Sequence, residues 1–169
     1  MKLFITILFL FATVYANAQA QFQMIPDEDN PGETIPVGII NKQLVMNDTS
    51  KWYAQNQKSY KPDTSVISAF EQNKNALRYI IFGGTWCDDT RVILPKFFVL
   101  QEKAGIPDDR ISFFAVNRQK QTTGNVASAF NIINVPTIIV MKNGKEIGRV
   151  VEYGTTGKWD NELANILNQ

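Results

Sequence analysis

The chain contains no histidine and only one cysteine, Cys87, among its 169 residues. Without an imidazole it can form neither a serine–histidine nor a cysteine–histidine catalytic dyad, and it lacks the commonest zinc ligand. A single cysteine also cannot form an internal disulfide bond. We therefore expect neither a metal nor a cofactor, and the chemistry left to Cys87 is that of a lone thiol.

A strong charge imbalance is also absent. The formal net charge is +1, and 16 basic and 16 acidic side chains remain once Lys2 is set aside. This balance does not indicate a nucleic-acid or anionic-membrane partner, and the charges at 108–110 and 118–120 are typical of solvated loop ends. Glycine is too scattered for a phosphate-binding loop, and no carboxylate pair has the spacing expected for glycoside hydrolysis. The 44% apolar content suits one domain with a proper core.

The first twenty residues have the pattern of a secretory signal peptide. Lys2 provides a positive start, residues 3–14 are nearly all apolar, and small residues follow. We predict cleavage near Ala18 or Ala20 and export to the periplasm or the medium. The apolar run is short for a membrane span, so we expect none in the mature chain, and a retained anchor is the less favoured alternative. An exported protein with one thiol keeps it either buried and inert or reactive toward a partner.

After the signal peptide we predict an N-terminal extension, residues 21–62, and a domain, residues 63–169. Residues 21–36 are acidic and rich in turn formers, which is typical of a poorly ordered arm or one draped over the surface. Residues 37–46 predict a short strand or a hairpin around Asn41.

A helix is predicted at 49–60, where Trp52, Tyr53 and Tyr60 share one face. These aromatic residues could cover a groove, but packing against the domain is the favoured interpretation.

Helices and strands alternate regularly from residue 64 onward. The predicted helices are 64–73, 88–103, 124–130 and 158–168, and the predicted strands are 77–82, 111–116, 137–141 and 146–151. Asn143-Gly144 predicts a tight hairpin between the last two strands. This order predicts an α/β fold with a central mixed sheet flanked by helices on both faces.

Cys87 lies where a predicted strand, 77–82, meets a predicted helix. A thiol there is near the positive end of the helix dipole, beside N–H groups that have no partner within the helix. Both effects favour the thiolate, which is the form that attacks disulfides. The carboxylates of Asp88 and Asp89 oppose a second negative charge, and Arg91 offsets part of that repulsion. The competing interpretation of Cys87 is a small buried hydrophobic residue.

Four landmarks around this junction resemble the thioredoxin superfamily. They are Trp86-Cys87-x-x-Thr90 after a buried strand, Pro95 inside the following helix, Val135-Pro136-Thr137 at the start of a later strand, and a hairpin followed by Gly154. A proline in a helix interior is otherwise costly, by about 3 kcal/mol. The resemblance covers residues 64–168 and is closest to exported bacterial thioredoxin-like proteins with a Trp-Cys-x-x-Ser/Thr motif.

The resemblance implies a thioredoxin-like fold and thiol–disulfide exchange through Cys87, with protein clients that carry disulfides or thiols. It implies that Pro136 is cis and faces the cysteine. It also implies that an extended client pairs with the backbone at Val135. Trp86 is implied to be a flat apolar platform for clients, and the alternative is an ordinary packing residue.

The sequence departs from the family pattern at two positions. Thr90 stands where the second cysteine would release the reduced client, and Ile81 stands where many thioredoxins have a buried acid. We therefore expect Cys87 to need an external resolving thiol, and to catalyse isomerisation or form mixed disulfides. The hydroxyl of Thr90 either donates to the thiolate, which makes Thr90 a catalytic residue, or only caps and fills the turn. We weigh these two roles equally.

Two other functions stay open. The first is a redox-inactive module of the same fold that holds extended peptides beside Pro136. The second is glutathione-linked monothiol chemistry, which is less favoured because no Gly-Gly-Asp segment follows Pro136. Replacing Cys87 separates exchange chemistry from simple binding, because only exchange needs the sulfur.

Overall fold

A computed structural model describes residues 21–47 and 51–169. The predicted signal peptide, residues 1–20, lies outside the described residues. Residues 48–50, which include the predicted start of one helix, also lie outside them. In the described part of the chain, no helix is both long enough and apolar enough to cross a membrane.

The described residues form one six-stranded mixed sheet with the strand order β1-β2-β4-β3-β5-β6. The strands are β1 Phe22–Pro26, β2 Thr34–Ile40, β3 Leu77–Gly83, β4 Ile111–Ala115, β5 Thr137–Lys142 and β6 Lys145–Val151. Strands β3 and β4 are parallel, and the other neighbouring pairs are antiparallel. The predicted mixed sheet is therefore confirmed.

Six helices accompany the sheet in the described residues. They are α1 Lys42–Met46, α2 Trp52–Ser59, α3 Thr64–Asn73, α4 Asp88–Ala104, α5 Val126–Ala129 and α6 Trp159–Leu167. The predicted helices of the domain are confirmed, although α5 is shorter than predicted because a turn with left-handed residues at Gly124 and Asn125 precedes it. Helix α4 contains the predicted internal proline, Pro95.

The two faces of the sheet bury separate apolar clusters, because side chains alternate along each strand. In the central strand β3, Tyr79 and Ile81 belong to the larger cluster, which includes buried residues of α2, α3, α4 and α6. Phe82, from the same strand, belongs to the smaller cluster, which includes Ala127 of α5. Helices thus cover both faces, as predicted, and the strand that leads to Cys87 is anchored on both sides.

The interpretation of residues 21–36 as a poorly ordered or draped arm is wrong. Strands β1 and β2 form an antiparallel hairpin, and β2 continues the sheet by pairing with β4. The apolar side chains of Ile35 and Val37 are buried, and the acidic turn formers occupy only the connection, residues 27–33. Of the two alternatives for residues 37–46, the short strand is confirmed as far as Ile40, the end of β2. The hairpin around Asn41 is wrong, because the side chain of Asn41 caps α1 by accepting from the N–H of Leu44.

The register places the tip of this hairpin beside the candidate site. Gly38 pairs with Ala115, and Ile40 pairs with Phe113, so β2 runs antiparallel to β4. The residues before Gly38, including the connection 27–33, therefore extend past Ala115. Gly83 of β3 pairs with Ala115 at this same end of the sheet, and Cys87 follows four residues later.

The aromatic residues of α2 pack against the domain, as the favoured interpretation predicted. Tyr53 is buried in the larger cluster, and its ring lies 6.5 Å from that of Phe98. The hydroxyl of Tyr60, the residue that follows α2, donates at 2.6 Å to Oδ2 of Asp160, which lies in α6. Residues 51–62 are therefore bound to the same core as the sheet.

Glu162 of α6 fixes the turn that follows β6. Its carboxylate accepts from the backbone N–H of Thr155 at 3.0 Å and from the hydroxyl of Thr156 at 2.6 Å. Gly154 precedes them with a positive φ of 76°, and a Cβ at this position would lie 2.5 Å from the Glu162 carboxylate. Hydrogen bonds from the Thr156 side chain and from the backbone of Thr155 and Thr156 lower the pKa of Glu162 from 4.5 to about 2.

We predict that Glu162→Gln lowers the free energy of unfolding at neutral pH by about 1 kcal/mol, because the charged acceptor is lost. The pKa of Glu162 is depressed in the folded state, so its contribution is fully present above the ordinary value of 4.5 and is lost as the pH falls toward 2. The difference between wild type and variant should therefore shrink as the pH falls from about 4.5 toward 2. Urea denaturation across this pH range measures it.

Glu102→Gln is the matched control for this prediction, because Glu102 forms an exposed ion pair with Lys42. An exposed pair of this kind contributes little, so its removal should change stability by less than about 1 kcal/mol at any pH. Equal losses in both variants would contradict the role given to Glu162.

Candidate active site

The backbone turn after β3 places Cys87 at the start of α4. Cys87 is the N-cap residue, with an extended backbone (φ −90°, ψ 126°), and its carbonyl accepts from the N–H of Arg91 at 3.0 Å. Its own N–H donates to the carbonyl of Gly84 at 3.0 Å, which closes the turn. The side chain forms no capping hydrogen bond, and Cys87 is only partly buried. The sulfur is therefore available for contacts outside the helix.

The sulfur of Cys87 contacts the loop that precedes β5. The thiol donates to the carbonyl oxygen of Val135, with an Sγ–O distance of 3.2 Å. The Val135–Pro136 peptide bond is cis, and the carbonyl of Pro136 accepts from the N–H of Glu152 at 2.7 Å. The β3–α4 turn and the loop before β5 thus meet at the sulfur, and the loop after β6 contacts Pro136 beside them.

The structure brings Cys87, Val135 and Pro136 together, and it limits what Val135 can offer to a client. Val135 as a whole residue is 3% exposed and belongs to the smaller apolar cluster. Because this fraction covers the whole residue, little of its backbone is open to a client either. The resemblance implies that the backbone of Val135 pairs with a client, but in this structure the Val135 carbonyl accepts from the thiol of Cys87.

Thr90 packs beneath the turn. Its side chain is 0% exposed, and its hydroxyl accepts from the N–H of Gly84 at 3.4 Å. A Cβ on Gly83 would lie only 2.9 Å from the methyl carbon of Thr90, so the two residues are in close contact. Among the described residues, no hydrogen bond joins the Thr90 hydroxyl to the sulfur of Cys87. This geometry favours the filling role over donation to the thiolate.

Charged side chains surround the first turn of α4. Arg91 donates through Nε to the carbonyl of Thr85 at 2.6 Å, and its Nη1 lies 3.6 Å from Asp88 Oδ1. The Asp88 side chain is 93% exposed, so this ion pair is weak. The main structural role of Arg91 is therefore to hold the β3–α4 turn against the helix.

Two residues in the loops around the site were not predicted from the sequence. Tyr153 lies in the loop after β6, and burial together with the carboxylate of Asp89, to which its hydroxyl donates, raises its pKa. The charge of Cys87 contributes in the same direction to a smaller extent. Ile133, two residues before Val135, is 77% exposed. Their positions beside Gly154 and Pro136, two of the landmarks, are the only sequence signals that could have identified them.

Trp86 lies beside Cys87 and is held by several contacts. Its Nε1–H donates to the carbonyl of Val116 at 2.9 Å, and its ring packs against the smaller apolar cluster. Arg118 Cζ lies 5.1 Å from the ring centroid, and Lys120 Nζ lies 5.5 Å from it. The interpretation of residues 118–120 as solvated loop ends is therefore wrong for Arg118 and Lys120, because both cover an aromatic ring.

The backbone of Gly84 also contacts the indole. A Cβ added to Gly84 would lie 2.4 Å from Cε2 and Nε1 of Trp86, closer than any real contact. Only glycine at this position leaves room for the ring, and the ring in turn covers the turn that positions Cys87.

We predict that Gly84→Ala displaces the Trp86 indole and breaks its hydrogen bond to Val116. The loss of that bond should speed solvent exchange of the indole N–H about tenfold, which NMR with Trp86→Phe for assignment can measure. Gly148→Ala is the control, because its Cβ would crowd Ile166 at 2.8 Å on α6 instead. The control should lower stability and leave the Trp86 signal unchanged. An unchanged Trp86 signal in Gly84→Ala would contradict the packing described.

Comparison with protein families gives one clear match. The family model described as Thioredoxin matches residues 63–168. Strands β1 and β2 and helices α1 and α2 therefore lie outside the matched segment.

Similar proteins include several thioredoxins. A thioredoxin-like protein of Acanthamoeba polyphaga mimivirus is 30% identical over 53% of this chain, and the match spans 63% of that protein, less than two thirds of its length. Thioredoxin of Staphylococcus haemolyticus is 29% identical over 51% of this chain and 79% of its own. Among solved structures, reduced Schistosoma mansoni thioredoxin pre-protein is 32% identical, with a TM-score of 0.40, over 64% of this chain and 92% of that one.

Proposed function

We propose, from the premise that this chain belongs to the thioredoxin family, that it exchanges thiols and disulfides through Cys87 alone. The observation that carries the proposal is the position of the sulfur. It is partly exposed, it does not cap α4, and it faces the loop of Val135 and Pro136. The first N–H groups of α4 have no acceptor within the helix, so they favour the negative charge of a thiolate.

In the first step, the thiolate of Cys87 attacks one sulfur of a client disulfide. A bond forms between Cys87 and that sulfur, the client disulfide bond breaks, and the other client sulfur leaves as a thiolate. The proton of the Cys87 thiol goes to solvent beforehand, since its hydrogen-bond partner is a carbonyl that cannot accept it permanently. The product is a mixed disulfide between protein and client.

In the second step, another thiolate must attack the mixed disulfide on the client sulfur. A second thiol of the same client gives a rearranged client disulfide, and a low-molecular-weight thiol gives a client linked to that thiol. In both cases Cys87 leaves as a thiolate, and the protein is neither oxidised nor reduced over the cycle. Thr90 has no sulfur and takes no part in this step.

The client is expected to lie extended across the meeting point of the three loops. The backbone at Val135 would pair with it once the Cys87 sulfur has lost its proton and no longer donates to the Val135 carbonyl. Trp86, Ile133 and Tyr153 would contact the side chains of the client. Ile133 is the most exposed of these apolar residues, and Trp86 borders the sulfur on the side of Arg118. Because the predicted signal peptide implies export, the clients would be exported proteins and the resolving thiol would come from the same compartment.

We predict that wild-type protein forms mixed disulfides with a peptide disulfide and that Cys87→Ser forms none. Cys87→Ala is the control, because it shows whether the serine hydroxyl adds or removes binding. Intact-mass measurement with and without reductant detects the adduct. If wild type forms no adduct and all three proteins bind the reduced peptide equally, the chain is the redox-inactive binding module.

We predict that Thr90→Cys fully reduces the peptide disulfide, whereas the wild type stops at the mixed disulfide. The introduced sulfur lies one helical turn from Cys87, so it can attack the mixed disulfide and release the peptide as a thiol. Thr90→Val is the matched control, because it has a similar shape and no sulfur, and it removes only the hydroxyl that accepts the long hydrogen bond from the Gly84 N–H. It should stall like the wild type, and loss of adduct formation in Thr90→Val would instead restore a catalytic role for the Thr90 hydroxyl. Chromatographic measurement of released peptide separates these outcomes.

A further inference from the structure

We infer that the β1–β2 hairpin is part of the active site, and that Asp27 positions Trp86 through Arg118 for client docking. The inference rests on the proposed function, because it assigns to the hairpin a role in that same exchange. Asp27 and Arg118 are positioning residues: neither contacts the sulfur, and both act through the indole beside it.

The hairpin brings Asp27 to the end of the sheet at which Cys87 lies. Asp27 directly follows β1, in the connection that extends past Ala115 of β4. Arg118 follows β4 at the same end. The two residues are 91 positions apart in the chain, and they meet because β2 pairs with β4.

Asp27 holds the guanidinium of Arg118 in one plane. Oδ1 accepts from Nε at 2.5 Å, and Oδ2 accepts from Nη2 at 2.9 Å, so the pair is bidentate. Asp29 Oδ2 lies 2.7 Å from the remaining nitrogen, Nη1. A bidentate pair fixes orientation as well as distance, which a lysine at this position could not reproduce.

The carboxylate of Asp27 is itself held in place. Asp27 is only 4% exposed, and it also accepts from Asn30 Nδ2 at 2.8 Å and from the N–H of Asp29 at 3.2 Å. Hydrogen bonds from Arg118 and Asn30 hold the pKa of this carboxyl well below its usual range, so it stays charged at physiological pH. A covered carboxylate is costly unless it is fully paired, and here both oxygens are paired.

The guanidinium of Arg118, held in this way, lies over the indole ring of Trp86. Its Cζ lies 5.1 Å from the centroid of the Trp86 ring, within the range of a cation–π contact. Because Asp27 fixes the guanidinium and Val116 fixes the indole N–H, the ring has one orientation beside Cys87. Without Asp27, the guanidinium of Arg118 keeps only its contact with the exposed carboxylate of Asp29, so its plane is no longer fixed. The ring then loses an ordered cation–π contact with Arg118, although Lys120 still lies over it.

The carboxylate that organises this contact comes from outside the family segment. That segment begins at residue 63, and Asp27 lies 36 positions before it. The hairpin therefore adds to the shared fold an element that contacts the loop beside Cys87. A client docks against the oriented indole, whereas a small reagent reaches the sulfur without touching it. Loss of Asp27 should thus weaken exchange with peptides more than reaction with small molecules.

The test compares Asp27→Asn with wild type in three measurements. They are the solvent exchange of the Trp86 indole N–H, the rate of mixed-disulfide formation with a peptide disulfide, and the rate of Cys87 alkylation by iodoacetamide. We expect the solvent exchange rate of the indole N–H to rise and the rate of mixed-disulfide formation with the peptide to fall. Each should change about fivefold, because one cation–π contact is lost. The alkylation rate should stay within about twofold of wild type. Asp27→Glu, which keeps the charge, should recover part of the peptide rate.

Glu146→Gln is the matched control, because it breaks another bidentate pair, with Arg149 at 2.6 Å on both oxygens. It should leave all three measurements unchanged. If Asp27→Asn fails to fold, Arg118→Lys is tested by the same criteria, since lysine keeps the charge and loses the planar bidentate contact. An unchanged indole exchange, or equal losses in the peptide and alkylation rates, would overturn the inference.

Failure of the proposed function would give a different result. In that case wild type would form no mixed disulfide with the peptide, and the indole measurement alone would decide whether Asp27 orders Trp86. Faster indole exchange in Asp27→Asn would then support the positioning role, and unchanged exchange would overturn it.

Discussion

The contact between the Cys87 sulfur and the Val135 carbonyl is the interaction on which the candidate site depends. It joins the start of α4 to the loop before β5 at an Sγ–O distance of 3.2 Å. The turn that carries Cys87 is fixed by its own N–H bond to Gly84 and by the bond from Arg91 to Thr85. The sulfur therefore has a defined position without acting as a helix cap, which leaves it available to a client.

Much of the domain could be predicted because it is encoded locally. The apolar run of β3 spans 7 residues and the helical pattern of α4 spans 17. Both are local signals, and together they place Cys87 at the strand–helix junction. The β1–β2 hairpin was missed because its stability comes from pairs distant in sequence, such as Ile39 with Phe114. Composition alone made 21–36 resemble a disordered arm, although the acidic residues occupy only the turn.

The details of the site were less predictable for a related reason. The contact between Asp27 and Arg118 spans 91 residues, and no local pattern signals it. Thr90 was correctly placed one turn from Cys87, but its hydroxyl is directed to Gly84, because the tight turn after β3 brings that N–H within reach. The role of the single sulfur is simpler to derive. With threonine beneath the turn, the proposed function gives the chain an attacking thiol and no second sulfur that can resolve the product.

The most direct test of this account measures how much thiol is released in an initial burst from a disulfide whose leaving thiol is coloured. The disulfide is added in excess to the fully reduced protein. The account predicts release of one equivalent of coloured thiol per Cys87, followed by no further release until a low-molecular-weight thiol is added. Absence of the burst would show that the sulfur does not attack disulfides. Continued turnover without added thiol would show that the chain resolves its own mixed disulfide, which one cysteine cannot do in the manner described.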